Sequence, residues 1–208
     1  MIIERYESPL LSSNMYLITE SGHAVVIDPS QYLKKAKNLI VDKIILTHEH
    51  YDHISGVNDW KRLTNASVLC SKTCGENIQS SRKNMARLFE VFCELQTWII
   101  VDKVPKADEN YTCQADETFE GELDFAWQGH NFHLFELPGH SLGSIGILLD
   151  GQCFFSGDSL IEGKEIELRF PGGSRAKWET IGAPRLSLLP DRIKVYPGHF
   201  KEFIYVKE

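Results

Sequence analysis

The chain has 208 residues, 42% of them hydrophobic and 25% charged, with a net charge of −7. That is enough for one well-buried domain over 1–208, and the acidic balance argues against nucleic acid or an anionic membrane as the main partner. No stretch approaches the roughly 20 apolar residues of a membrane span, and the N-terminus lacks the basic-then-apolar order of a secretory leader.

In chain order, Met15–Thr19 and Ala24–Asp28 read as strands joined at Ser21-Gly22. Gln31–Val41 reads as a short helix, with Leu33, Ala36, Leu39 and Ile40 on one face. Lys43–Leu46 is a short apolar strand that ends in the sequence THEHYDH, residues 47–53. Ile54–Leu63 fits a helix and Ser67–Cys70 a strand. The longest helical pattern runs from Ser71 to about Trp98, with Ile78, Met85, Leu88, Phe89 and Phe92 at helical spacing. Val104–Thr118 is polar and reads as a loop. Four strands then crowd together, at 123–127, 132–137, 144–149 and 152–155, with hairpin turns at Gln128-Gly129 and Asp150-Gly151. Ala176–Leu189 should be helical and Ile193–Tyr196 a late strand. Strands, helices, strands and a helix in that order imply helices packed outside two sheets.

The five cysteines, Cys70, Cys74, Cys93, Cys113 and Cys153, are odd in number and form no CxxC pair. They fit a reduced, cytoplasmic chain better than a disulfide framework. Cys70 and Cys74 have a spacing a metal could use, but buried thiols are the simpler reading.

Of eight histidines, His23, His130 and His133 lie in ordinary strand or turn contexts. The other five, His48, His50, His53, His140 and His199, each follow a strand-like segment. Pro138-Gly-His140 and Pro197-Gly-His199 share one local form, and Ser156-Gly-Asp158 places an aspartate in the same way. Strand ends of one sheet system lie near each other, so four such loops can converge. Residues i and i+2 of an extended chain share a face, so His48 and His50 can grip one ion while Glu49 points away. Asp52 and His53 would face a second spot, His140 and His199 can each complete one site, and Asp158 can bridge. Imidazole and carboxylate suit Zn²⁺, and also Fe²⁺ or Mn²⁺. The helical HExxH zinc motif does not fit.

These residues resemble the metallo-β-lactamase fold superfamily. Its HxHxDH signature is matched by His48, His50, Asp52 and His53, and its later ligands by His140, Asp158 and His199. Asp28 resembles the early aspartate that supports the metal loop without binding metal. The likeness runs from about Tyr16 to His199 and implies an α/β fold (α+β), a four-layer αββα sandwich with the metals at one edge. SGDSL, FPGGS, SLLPD and VYPGH are similar to small glyoxalase II-like hydrolases. Three departures stand out: nine residues follow His199 where glyoxalase II proper carries a helical glutathione-binding domain; Ile166-Glu167 replaces a Gly-Arg pair; and Phe200 replaces a small residue.

The resemblance implies a hydrolase with two divalent ions, zinc first, acting on a small molecule. His48, His50 and His140 would hold one ion, Asp52, His53 and His199 the other, with Asp158 between. A hydroxide bridging the ions would attack a thioester, ester or lactone carbonyl, with Asp52 and Asp158 the catalytic carboxylates. Lys164, Arg169 and Arg175 are candidates for an acidic substrate group. The competing readings are an iron persulfide dioxygenase using His48, His140 and Asp158, a phosphodiesterase or nuclease on the same fold, and a non-catalytic metal-binding protein. No membrane or nucleic-acid partner is expected, and an oligomer is possible.

Overall fold

Neighbouring residues in the first strands bury into different clusters. Met15, Leu17, Val26 and Ile44 join one apolar cluster, while Tyr16, Ile18, Val25 and Ile45 join another. A strand points successive side chains to opposite faces, so these strands are covered on both sides. The computed structural model describes residues 1–31, 33–95 and 106–207.

The first sheet has the spatial order of the chain: β1 (Ile2–Glu7), β2 (Asn14–Glu20), β3 (His23–Ile27), β4 (Ile40–Ile45), β5 (Ser67–Ser71) and β6 (Glu117–Phe119). β1 to β3 pair antiparallel, and β3 to β6 parallel. The second sheet runs β7 (Glu122–Trp127), β8 (His130–Glu136), β9 (Ile145–Leu149), β10 (Cys153–Gly157), β11 (Ile193–Pro197) and β12 (Phe203–Tyr205). Among the described residues, β10 and β11 are the one pair there that runs parallel.

Between the sheets lies a core of Tyr16, Ile18, Ile27, Phe132, Leu134, Ile147 and Phe155. Outside the first sheet pack α1 (Tyr51–Ile54), α2 (Val57–Thr64), α3 (Lys72–Asn77) and α4 (Phe89–Leu95). Trp60 of α2 and Phe89 of α4 bury in the same cluster as Met15 and Ile44. Outside the second sheet, α5 (Arg175–Lys177), a π-helical stretch Trp178–Gly182 and α6 (Ala183–Ser187) follow one another. Leu186 buries there with Phe135, Phe154 and Val195. The result is the four-layer αββα sandwich. Among the described residues, no helix is long and apolar enough to cross a membrane.

Several elements differ from the sequence reading. β1 and β12 were not expected; they are edge strands with half-exposed residues and little apolar alternation. The described residues of Gln31–Val41 form no α-helix. They contain one short 3₁₀ segment, Lys34–Asn38, and Val41 already belongs to β4. Ala36 is buried there, while Lys34, Lys37 and Asn38 are exposed, so little packing energy supports a longer helix. Thr118, read as loop, lies in β6.

The long helix from Ser71 is broken into α3, a 3₁₀ turn Ala86–Leu88 and α4. Its last residues, up to Trp98, lie outside the described residues, as does the start of the polar loop at Val104. The break is chemical. Buried Asn84 donates to the carbonyls of Ile78 and Tyr111 at 3.4 and 3.0 Å and accepts from Ala86 N at 2.9 Å. Met85 follows in the left-handed region at φ 66°, which ends any helix.

Replacing Asn84 with Ala would leave the Tyr111 carbonyl and the Ala86 N–H without this partner, while the Ile78 carbonyl keeps its bond from Cys113 N at 3.1 Å. We expect destabilisation of about 2 kcal/mol, read as a lowered urea midpoint with an unchanged slope.

Candidate metal centre

The site forms where both sheets end in loops. Backbone bonds tie those loops across the gap: Ile145 N donates to Thr47 O at 2.8 Å, Gly198 N to Gly157 O at 2.7 Å and Asn14 N to Gly198 O at 2.6 Å.

Asp28, just after β3, is buried at φ 50°. Its carboxylate accepts from Thr47 N at 2.7 Å and Thr47 Oγ1 at 2.6 Å, and faces His53 Nδ1 at 3.2 Å. Because the Thr47 hydroxyl donates to Asp28, its oxygen is left to accept from His48 Nδ1, 3.0 Å away. The same logic repeats around the site. His140 Nδ1 faces the Glu167 carbonyl at 3.0 Å, and His199 Nδ1 faces the Leu11 carbonyl at 3.2 Å. In each case the outer nitrogen donates, so Nε2 is the nitrogen that turns inward.

Those inner nitrogens converge. His48, His50 and His140 offer ligand atoms within 4.8 Å of one another, as do Asp52, His53 and His199. His140 Nε2 lies 3.0 Å from His50 Nδ1, and His53 Nε2 lies 3.3 Å from His199 Nε2. Asp158 Oδ2 sits 3.5 Å from His140 Nε2 and 3.4 Å from His199 Nε2, between the two groups. His48 Nε2 and Asp158 Oδ1 are buried without a hydrogen-bond partner. Buried polar atoms are rarely left so, and this donor set, imidazoles with a shared carboxylate, is the chemistry a divalent cation takes. The residues fit a metal.

The two groups differ electrically. Burial, with the neighbouring rings of His53 and His50, pushes His48 well below the usual imidazole range. Burial lowers His50 too, and takes His140 to about 4. At His53, burial is outweighed by Asp52, Asp158 and Asp28, which raise it to about 9. Burial is likewise outweighed at His199, held well above its ordinary value by Asp158 and Asp52. The histidine charges in turn hold Asp158 well down against its burial.

Residues without an obvious signal in the sequence hold the loops in place. Asn14 Nδ2 donates to the carbonyls of Pro197 at 2.9 Å and Phe200 at 2.7 Å, and Tyr16 OH to Pro197 O at 2.7 Å. Ser13 Oγ donates to Asp52 O at 2.8 Å. Glu49 does point away from the histidines, but it is no mere spacer. Its buried carboxylate accepts from Asn77 Nδ2 and Ser141 Oγ, both at 2.8 Å, and so clamps α3 and the His140 loop to the histidine-rich loop. Tyr51 OH accepts from Asp108 N at 3.1 Å.

The glycines before three of these residues make room. A Cβ at Gly139 would meet the Trp178 ring at 2.6 Å, and one at Gly157 the Thr47 hydroxyl at 2.6 Å. At Gly198 it would collide with Asp158 Oδ1.

A cleft of about 660 Å³ opens onto His50, Asp52, His140, Asp158 and His199. Lys164 lines it, with Nζ 5.4 Å from the centre of the Phe200 ring. Arg169 and Arg175 do not line it. Arg169 is taken by Glu167 at 2.6 Å and is otherwise exposed, and Arg175 faces Glu179 at 3.8 Å. His23, His130 and His133 lie elsewhere, paired with Asp42, Asp150 and Asp124. The cysteines are free thiols, Cys70 and Cys74 both buried.

The family described as the metallo-beta-lactamase superfamily matches residues 8–199. The chain is 27% identical over 186 residues to a hydroxyacylglutathione hydrolase of Psychromonas ingrahamii, covering 87% of this chain but 58% of that one. It therefore spans under two thirds of that relative's length. It is 24% identical over 203 residues to a probable metallo-hydrolase, YqgX, of Bacillus subtilis, covering 92% of this chain and 87% of that one. Among solved structures, a B3 metallo-β-lactamase, BLEG-1, superposes with a TM-score of 0.80 at 21% identity, covering 98% and 94% of the two chains. That last likeness is one of fold.

Asp28→Asn would weaken the acceptor that orients Thr47 and His53. Retention of divalent metal against a competing chelator should fall by about 10–100-fold, with far-UV circular dichroism unchanged.

Proposed function

Since the chain belongs to the metallo-β-lactamase superfamily, we propose that it is a metal-dependent hydrolase of a thioester, ester or lactone. The observation that carries this reading is the cleft whose wall is shared by His50, Asp52, His140, Asp158 and His199. A substrate carbonyl entering it meets both groups of donors at once.

In this reading His48, His50 and His140 would hold one ion, and Asp52, His53 and His199 a second, with Asp158 serving both. Divalent ions held there, zinc first and iron or manganese as the alternatives, supply Lewis acidity and a water acidified to near neutral pH. The protein's own part is orientation. Asp52 Oδ2 lies 3.5 Å from the Nε2 atoms of both His53 and His199 and can align the attacking water. Asp28, Thr47 and the Glu167 carbonyl fix which ring nitrogen faces inward.

A persulfide dioxygenase would need only His48, His140 and Asp158. The convergence of Asp52, His53 and His199 as a second group supports hydrolysis instead. The free thiols support a reducing compartment such as the cytoplasm.

Purified protein should carry two divalent ions per chain by elemental analysis. Chelation should abolish turnover of at least one member of a panel of thioesters, esters and lactones, and Zn²⁺ should restore it. Asp158→Ala should lower kcat/KM by about 10²-fold or more, while His133→Ala should leave it unchanged. Iron at one per chain with oxygen uptake on a glutathione persulfide would overturn this reading.

A further inference from the structure

Beside the histidines and aspartates the cleft has an apolar wall. Phe89 and Phe92 come from α4, and Ile161, Ile166 and Phe170 from the loop after Asp158. Phe170 carries this surface up to the histidines: its ring centre is 4.9 Å from that of Phe92, 5.7 Å from His140 and 6.2 Å from His50, all edge to face. Met85 adds to it from the left-handed conformation at φ 66°, which a non-glycine residue keeps only when its surroundings hold it there. Asn84, through its three buried hydrogen bonds, does so.

The charged groups on the cleft point the same way. Beyond the histidine and aspartate cluster, its lining includes Glu7, Glu165 and Glu167, with Lys164 the only cation among the described residues. Lys164 rests against Phe200. Glu167 turns its carboxylate to Arg169, at 2.9 and 2.6 Å, and Arg169 does not line the cleft. An anionic tail would find one cation, Lys164, beside the carboxylate of Glu165, whereas an aliphatic chain would meet the apolar surface of Phe92 and Phe170.

We propose that the substrate is a neutral acyl ester, thioester or lactone bearing an aliphatic chain, laid along Phe92, Phe170 and Ile166 with its carbonyl at the histidine cluster. This rests on the hydrolase reading above and deepens it. Water adds to the acyl carbon, the bond from that carbon to sulfur or oxygen breaks, and the leaving atom takes a proton. The products are a carboxylic acid and a neutral thiol or alcohol, or a hydroxy acid from a lactone.

Two measurements separate this proposal from the reading beneath it. The first needs no turnover: calorimetric binding of butanamide and octanamide, which are uncharged and stable. Octanamide should bind more tightly by about threefold per added methylene, near the value for burying each in a partly open apolar cleft. Phe92→Ala should erase most of that gain, and Ile166→Ser should do so by an independent route if the first variant folds poorly. Equal affinity for both amides overturns the proposal while leaving the hydrolase reading intact. The second is hydrolysis by the metal-loaded protein. N-acetylcysteamine thioesters should be cleaved with kcat/KM rising from butanoyl to octanoyl, and lactoyl-N-acetylcysteamine should outrun S-lactoylglutathione, the same acyl group on an anionic thiol. Glu165→Lys should narrow that second gap. A preference for the glutathione thioester overturns the proposal, and no hydrolysis of any thioester, ester or lactone overturns the reading it rests on.

Discussion

The buried carboxylate of Asp28 is the constraint on which the site depends. It sits at the end of a strand in the centre of the first sheet, where the chain adopts φ 50° to turn it inward. Through Thr47 it fixes the start of the histidine loop, and through His53 Nδ1 it fixes the end. One anion thus sets the position of one ring and, through a hydroxyl, the tautomer of another. A charge so placed is costly to bury unless its oxygens are satisfied, and here both are. The strands on either side of it, β2 antiparallel and β4 parallel, bury apolar residues on both faces at this end, which keeps water away and makes those hydrogen bonds worth more than they would be at the surface.

The electrostatics divide the cluster into unlike halves. His48, His50 and His140 are driven toward the neutral form by burial, the form in which imidazole binds a cation. His53 and His199 are driven toward the charged form by the aspartates around them. The carboxylates of that half favour the protonated rings. A divalent ion is a stronger partner for the same carboxylates, so its arrival would release those protons. Asp158 lies at the junction, and its charge belongs to both halves.

Much of this was legible in the sequence, and the reason lies in local chemistry. Each proposed ligand follows an apolar run and a turn, so His140, Asp158 and His199 could be picked out one by one. The strands from Met15 to Val26 and from Leu123 to Phe155 carry enough alternation, or enough unbroken apolar character, to declare themselves. What was not legible depends on contacts between distant residues. Asn14 holds the His199 loop from 183 residues away, and no local pattern announces that. The apparent long helix after Ser71 keeps its apolar spacing across a break made by Asn84, whose partner Tyr111 lies 27 residues on. Charged loop residues have no periodicity at all. Of Lys164, Arg169 and Arg175, only the first reaches the cleft, because Glu167 and Glu179 face the other two.

Gly198 gives the fold a further property. The Asp158 carboxylate occupies the space where any side chain at 198 would begin. A relative could therefore keep every one of the seven proposed donor residues, match the signature completely, and still be unable to assemble them if it carried alanine at this position. Across a large family, inactive members need not betray themselves by a missing histidine. The absent hydrogen-only side chain beside one would serve as well, and a search for decayed copies of this centre should read the residues between the ligands as closely as the ligands.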